Sequence, residues 1–209
     1  MRIYRFDSLS KLELLNVQAD LVTYRSRRAV QLLEHYEQKP GEPESEEHPI
    51  AILPETHFTD GIIEANIAGA PRPDAEDFAR GFVGIAFRVQ PHGSQFECFY
   101  LRPTNARAMD QLRRNHSTQY ISHPDYPWYR LRDEAPGVYE SYVDLQPGEW
   151  TRIKIEVSGA KALLYVNGGK QPCLVVNDLK LPPAPGQVAL WIGTGTQAYF
   201  NKVIVRDLA

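Results

Sequence analysis

Cysteine, long apolar runs and an excess of either charge are all scarce in this 209-residue chain. Its two cysteines, Cys98 and Cys173, lie in strand-like segments rather than at the spacing of a disulfide framework, which favours two reduced thiols. No apolar run approaches the roughly 20 residues that cross a bilayer. A net charge of -3 offers no bulk attraction for nucleic acid or anionic lipid. We therefore expect neither a nucleic-acid partner nor a membrane partner.

The beginning of the chain, MRIYRFDSLSKLELL, has no apolar core followed by a small-residue cleavage site. A secretory signal peptide would show both features. Together with the two reduced cysteines, this start predicts a cytoplasmic protein.

Short runs that alternate apolar and polar residues occupy most of the chain. In EWTRIKIEV, for example, Ile153, Ile155 and Val157 share one face and charged residues share the other. Turns bearing Gly or Pro separate such runs at intervals of about ten residues, which is typical of all-β sandwiches and barrels. The pattern predicts a single antiparallel β-sandwich domain over residues 1–209, with roughly ten to twelve strands.

Five local features refine the predicted fold. AVQLLEHY also fits helical spacing, but we interpret it as the second strand of a hairpin that follows LLNVQADLVTY. Asn167-Gly168 predicts a tight turn, because both residues tolerate positive φ. Trp150 is expected to anchor the edge of the core. The stretch EQKPGEPESEEHP predicts a mobile acidic loop at 37–49, and a second long loop is predicted at 103–137.

The C-terminal half resembles a known family. GEWTRIKIEVSGAKALLYVNG followed by VALWIGTGTQAYFNKVIVRDL is similar to the closing strands of concanavalin A-like lectin/glucanase domains, in the laminin-G-like branch. DGIIEANIAG with GFVGIAFRV resembles the paired early strands of those domains. The resemblance implies a two-sheet jelly roll whose concave sheet often carries a carbohydrate site. It says less about function than about fold.

Glycoside hydrolase chemistry has little support in the sequence. The Glu-x-Asp-x-x-Glu signature of the glucanases with this fold is absent. Glu140 and Asp144 share a face of VYESYVDL, but four residues along a strand span about 13 Å. Glycosidase carboxyl pairs lie about 5–5.5 Å apart in retaining enzymes and about 6.5–9.5 Å apart in inverting ones. We interpret both as solvated strand carboxylates, and no catalytic residue is assigned.

The sequence also contains no recognisable motif for a metal site or a cofactor site. His116, His123 and Asp125 lie in the predicted loop, but their spacing matches no standard zinc pattern. GTGTQ and NGGK lack the strand–helix context of a phosphate-binding loop. No metal and no cofactor are therefore expected.

The stretch RRNHSTQYISHPDYPWYRLR, residues 113–132, crowds arginines, histidines, tyrosines and a tryptophan together without a strand or helix period. Three interpretations remain open. The stretch packs down over a sheet, or it forms a sugar site, or it docks another protein. In a sugar site the aromatic rings would stack on pyranose C–H groups, while Asn, Gln, His and Arg would bind the hydroxyls. Long loops are often functional.

The neighbouring strands favour a groove under this stretch. In GFVGIAFRV, the small residues Gly84 and Ala86 share a face with Arg88. In QFECFYLRP, Tyr100 and Arg102 are expected on the same side. Two arginines there need counter-charges, which Glu97, Glu140 or Asp144 would supply internally and an acidic sugar would supply from outside.

The leading hypothesis is a carbohydrate-binding, lectin-like domain whose groove lies on the concave sheet, roofed by residues 113–132. The ligand is an oligo- or polysaccharide, with an acidic sugar as one candidate. The alternatives are a carbohydrate-active enzyme without the usual glucanase motif, either a glycoside hydrolase or a polysaccharide lyase, and a protein-interaction module. The predicted ligand-binding residues are Arg88, Tyr100, Arg102, His116, Gln119, Tyr120 and Trp128.

Overall fold

The computed structural model describes residues 1–35 and 49–208. Within them, none of the helices is long and apolar enough to cross a membrane. The elements in chain order are β1 (Arg2–Tyr4), β2 (Glu13–Leu15), β3 (Val17–Tyr24), β4 (Arg27–Glu34), β5 (Ile50–Ile52), β6 (Gly61–Pro71), β7 (Val83–Val89), β8 (Phe96–Leu101), α1 (Gln111–Asn115), β9 (Thr118–His123), α2 (Trp128–Glu134), β10 (Glu140–Ser141), β11 (Thr151–Ser158), β12 (Lys161–Val166), β13 (Leu174–Val176), β14 (Gln187–Ile192) and β15 (Thr196–Asp207).

The strands form two antiparallel sheets. The eight-stranded sheet has the order β13-β12-β11-β6-β15-β4-β3, with β1 added beside β15. The seven-stranded sheet has the order β10-β9-β8-β7-β14-β5-β2. The predicted all-β, two-sheet antiparallel sandwich is therefore confirmed.

The hydrophobic core lies between the inner faces of the two sheets. In the register of β11 against β6, Ile155 lies opposite Ile63 and Ile153 opposite Ala65, and all four side chains are buried. The alternating charged residues of β11 lie on the outer face, as period two requires. Each large apolar side chain buried in this way contributes about 1.5–3 kcal/mol to folding.

The hairpins follow the turn chemistry of the sequence. AVQLLEHY supplies most of β4, which pairs with β3 along its whole length, so the hairpin interpretation is confirmed for the described residues. Arg25 and Ser26 form its turn with positive φ values of 45° and 62°. Asn167 and Gly168 also take positive φ, at 50° and 75°, as predicted. The acidic loop predicted at 37–49 lies outside the described residues, apart from Pro49.

The prediction of a long loop at 103–137 is wrong, because α1, β9 and α2 lie within this segment. Strand β9 pairs with β8 on one side and with β10 on the other. Its residues from Thr118 to Ser122 are all buried. Since both faces of the strand are covered, polar and apolar residues have no reason to alternate along it. That is why QYISH carries no strand period.

A small aromatic cluster lies on the outer face of the eight-stranded sheet. The ring of Trp150 meets Tyr24 edge-on, with 5.7 Å between the centroids, and Tyr24 stacks on Tyr199 at 3.6 Å. The small side chains of Ala29 and Ala68 leave room for these rings. Trp150 was expected at the edge of the core, and this expectation is wrong: the ring packs on the opposite side of the sheet.

Both cysteines are free thiols. Burial raises the pKa of Cys98 well above its usual value and that of Cys173 to about 11. Because the thiolate is the reactive form, we expect neither to react readily with a thiol reagent in the native protein at neutral pH. In denaturant, without prior reduction, both should react. A titration that finds fewer than two thiols in denaturant would contradict the prediction and indicate a disulfide.

Candidate functional site

A groove of about 850 Å³ lies on the outer face of the seven-stranded sheet. Its volume falls within the range of about 300–1,000 Å³ that is usual for small-ligand sites. Strands β8 and β14, helices α1 and α2 and the segment before β7 contribute to its walls. The lining includes the aromatic rings of Phe78, Phe82, Tyr100, Trp128 and Trp191 and the basic side chains of Arg80, Arg102, Arg113, His116 and Arg132.

Two stacked rings form the floor of the groove. Gly84 in β7 is paired with Tyr100 on one side and with Trp191 on the other. A Cβ at Gly84 would lie 2.6 Å from the Cβ of Tyr100, closer than packed atoms allow. Because glycine has no side chain, the two rings meet above it with their centroids 4.6 Å apart. The room that the small residues of β7 were expected to leave is therefore filled by aromatic rings.

Arg102 lies between the floor and the wall. Its Nη2 donates to the hydroxyl of Tyr100 at 2.8 Å, and its guanidinium carbon lies 5.2 Å from the Tyr100 ring centroid and 5.6 Å from that of Trp128. Cation–π contacts of this kind are strongest when they are shielded from water. Burial raises the pKa of Tyr100, although the nearby Arg102 opposes that rise, so the phenol stays protonated at neutral pH. Trp128 remains 43% exposed and presents its ring to the groove.

The carboxylate of Glu140 is the shared partner of three basic side chains that line the groove. Its side chain is 3% exposed, and its two oxygens accept hydrogen bonds from Nε and Nη2 of Arg132 at 2.9 and 2.6 Å. Arg102 lies 3.5 Å from one oxygen and Nε2 of His116 lies 3.2 Å from the other. The interpretation of Glu140 as a solvated carboxylate is therefore wrong. It was based on strand alternation, which cannot show that Arg132 of α2, His116 after α1 and Arg102 after β8 converge on one residue.

His116 borders the groove beside Glu140. Burial lowers the pKa of His116; Glu140 opposes this shift, and Arg132 and Arg102 add to it. The imidazole is therefore uncharged at neutral pH, and it offers the groove a hydrogen-bonding ring without further positive charge.

Four of the seven predicted ligand-binding residues line the groove: Tyr100, Arg102, His116 and Trp128. Arg88 does not. It has a φ of 53°, and the pairing of β7 with β14 is irregular beside it. Its buried side chain donates to Asp60 at 2.9 Å and to the carbonyl oxygens of Thr59 and Gly159. A β-bulge shifts side-chain direction, so simple alternation placed Arg88 on the wrong side.

Gln119 and Tyr120 are also outside the groove lining. Nε2 of Gln119 donates to the backbone oxygens of Tyr120 and Tyr139, which holds the amide against the edge of the sheet. Tyr120 points to the other face of β9. Its hydroxyl donates to buried Glu97 at 2.6 Å and accepts from the backbone nitrogen of Lys180, and burial together with Glu97 raises its pKa.

Four residues that line the groove were not among the predicted ligand-binding residues: Trp191, Arg80, Arg113 and Arg132. Two of them carried a usable signal. In QVALWI, period two places Trp191 on the face opposite Val188 and Leu190, away from the core. In α2, Trp128 and Arg132 are four residues apart and so lie on one helix face, but only once that segment is recognised as a helix.

Within residues 1–35 and 49–208, no group of three His, Cys, Asp or Glu side chains could hold a metal ion. The donors that face the groove are instead guanidinium, imidazole and amide groups, which suit an organic ligand with oxygen acceptors.

No protein-family model matches the sequence, and no curated protein matches it. Solved structures do match nearly its whole length. A carbohydrate-binding module of Bacillus subtilis is 12% identical, with a TM-score of 0.59 over 92% of this chain and 94% of that one. The cellulose-induced protein Cip1 is 12% identical, with a TM-score of 0.64 over 100% and 98%. A β-glucanase of Bacillus licheniformis is 13% identical, with a TM-score of 0.52 over 99% and 98%.

The chain has the concanavalin A-like jelly-roll fold. The resemblance noted in the sequence is thereby confirmed for the fold. At sequence identities of 12–13%, these similarities establish the fold and do not establish a function.

Proposed function

We propose that this jelly roll binds a saccharide in the groove above Tyr100 and Trp191. The observation that carries the proposal is the pairing of exposed aromatic surface with hydrogen-bond donors in one concavity. The flat face of Trp128 suits the C–H groups of a pyranose ring. Arg102, His116 and Asn105 also line the groove, where they suit ring hydroxyls and other oxygen acceptors. One of the solved structures of similar fold is described as a carbohydrate-binding module, which supports this proposal.

Binding rather than hydrolysis is the activity that we propose, because the nearby carboxylates already have partners. Both oxygens of Glu140 accept from Arg132. Asp144 is held on the surface by Arg107 at 2.9 and 3.0 Å. Asp110 caps α1 by accepting from the backbone nitrogen of Arg113. A glycosidase needs a protonated carboxyl group and a second carboxylate facing one bond. Carboxylates held in ion pairs or in a helix cap do not meet that requirement.

Trp128→Ala tests the proposal. We expect the variant to lose at least about tenfold in affinity for any glycan that the wild type binds, since aromatic stacking is lost. The free energy of unfolding should fall by only about 1 kcal/mol, because Trp128 is 43% exposed rather than buried. A glycan array identifies the ligand, isothermal titration calorimetry measures the affinity, and urea unfolding measures the stability.

Tyr129→Ala is the matched control. Tyr129 is the next residue of α2, is 60% exposed and lies outside the groove lining. Equal losses in the two variants would contradict the proposal. If no glycan binds the wild-type protein, the saccharide proposal fails and the protein-interaction hypothesis gains support. New reducing ends, or unsaturated products detected by ultraviolet absorbance, would instead assign a hydrolase or a lyase.

A further inference from the structure

Four arginines line the groove, and the neighbouring carboxylates do not balance them. Arg102 and Arg132 share the single carboxylate of Glu140. Asp110, the acidic residue in the lining, directs its carboxylate to the backbone of α1. The groove therefore carries positive charge in a chain whose net charge is -3.

Arg80 and Arg113 form no ion pair with a carboxylate of the described residues. Arg80 donates through Nη1 to the backbone oxygens of Asp77 and Ala79. Arg113 donates through Nε to the amide oxygen of Asn105 at 2.9 Å and through Nη2 to the hydroxyl of Thr104 at 3.4 Å. Neutral acceptors hold both guanidinium groups in place without cancelling their charge.

These cations also act on one another. Burial lowers the pKa of Arg80; Arg113 and Arg102 add to this decrease, and Asp77 opposes it. Guanidinium groups remain charged at neutral pH, so the repulsion of Arg80 by Arg113 and Arg102 persists at that pH. An anion placed between them would relieve it. Charge-assisted, bidentate hydrogen bonds to planar oxyanions are the interaction for which arginine is best suited.

We propose that the saccharide bound in the groove carries an anionic group and that Arg80 and Arg113 recognise this group. The inference rests on the proposed saccharide function and narrows its ligand class to acidic glycans. The shared chemistry is an oxyanion on the sugar, supplied either by the carboxylate of a uronic acid or by a sulfate ester. In this arrangement Trp128 contacts the sugar ring while the two arginines select its charge.

The test begins with matched pairs of glycans. Oligogalacturonides are compared with their methyl esters, alginate oligosaccharides with their methyl esters, and κ-carrageenan oligosaccharides with their desulfated form, on an array that also carries neutral glucans and galactans. We expect binding to at least one acidic member, about tenfold or more tighter than to its neutral counterpart. Raising the salt concentration should weaken that binding, because salt screens the charge contact. The carboxylated and sulfated pairs then show which oxyanion is recognised.

Arg113→Gln and Arg114→Gln provide the matched variants. The two residues are adjacent in α1, but Arg113 lines the groove whereas Arg114 lies outside the lining and contacts Tyr142. Arg113→Gln should lower the affinity for the acidic glycan by about tenfold to a hundredfold and flatten its salt dependence. Arg80→Gln should act in the same direction. Arg114→Gln should bind as the wild type does, and circular dichroism establishes that each variant is folded.

Distinct outcomes separate failure of this inference from failure of the saccharide proposal. If neutral glycans bind as tightly as acidic ones, and Arg113→Gln and Arg80→Gln leave binding unchanged while Trp128→Ala abolishes it, the anionic inference is wrong and saccharide binding stands. If no glycan binds at all, both are wrong. If inorganic sulfate competes with the acidic glycan at the same molar concentration, the groove recognises an anion alone, and the inference is again overturned.

Discussion

Glu140→Gln is expected to lower the free energy of unfolding by about 3–5 kcal/mol, the usual result of breaking a buried ion pair by removing one partner. The side chains of Glu140 and Arg102 are 3% and 5% exposed, so the remaining cation gains little solvation. Arg132 would also lose its bidentate acceptor. Chemical denaturation of the variant beside the wild type measures the loss.

Glu134→Gln is the control for this experiment. Glu134 pairs with Arg130 on the exposed side of α2, and such surface pairs contribute about 0–1 kcal/mol. A loss of the same small size in Glu140→Gln would show that the cluster is not a stabilising anchor. The pKa of His116 provides a second readout. Because Glu140 holds that pKa up against burial and the two arginines, the variant should show a still lower His116 pKa in an NMR titration.

Arg88→Ala is expected to be comparably destabilising, by about 3–5 kcal/mol as for other large buried side chains cut back to alanine, while leaving ligand affinity intact. The side chain is 1% exposed and donates to Asp60 and to the carbonyl oxygens of Thr59 and Gly159. Its removal leaves these partly buried acceptors without their donor and takes a buried side chain out of its packing. Denaturant unfolding measures the stability, and titration at a temperature where the variant remains folded measures the affinity.

Arg102→Ala separates the two roles that an arginine plays in this jelly roll. Arg102 is also buried, but it lines the groove and contacts Tyr100 and Trp128. Its replacement should therefore reduce both stability and affinity, whereas Arg88→Ala should reduce stability alone. A loss of affinity in folded Arg88→Ala would give Arg88 a part in the proposed binding and contradict its purely structural assignment.

Alternation predicted most of the fold, because most strands have one face in the core and one in water. Period two in EWTRIKIEV matches the buried and exposed faces of β11 residue by residue. It fails at β9, where both faces are covered and the local sequence carries no period. A strand could be predicted from the sequence wherever one of its faces is buried and the other is exposed to solvent.

The lining of the groove was only half predictable, and the reasons differ from residue to residue. Tyr100 and Arg102 follow from alternation in β8, which is regular. Arg88 was misplaced because a bulge in β7 changes the direction of its side chain, and a bulge needs the partner strand to be recognised. Arg80 was missed for another reason. It lies before β7 in a segment without regular structure, and only the folded chain brings it beside α1.

The two outer faces of the sandwich divide the protein's three tryptophans between them. Trp128 and Trp191 line the groove, whereas Trp150 packs beside Tyr24 on the opposite sheet. The fluorescence of Trp128 and Trp191 should therefore respond to changes in the groove, while Trp150 serves as an internal reference on the other sheet. Emission that changes when a glycan is added reports from the groove, while the contribution of Trp150 stays constant. A Trp150→Phe background would leave only the two groove indoles to be seen, so that occupancy becomes visible without any attached dye.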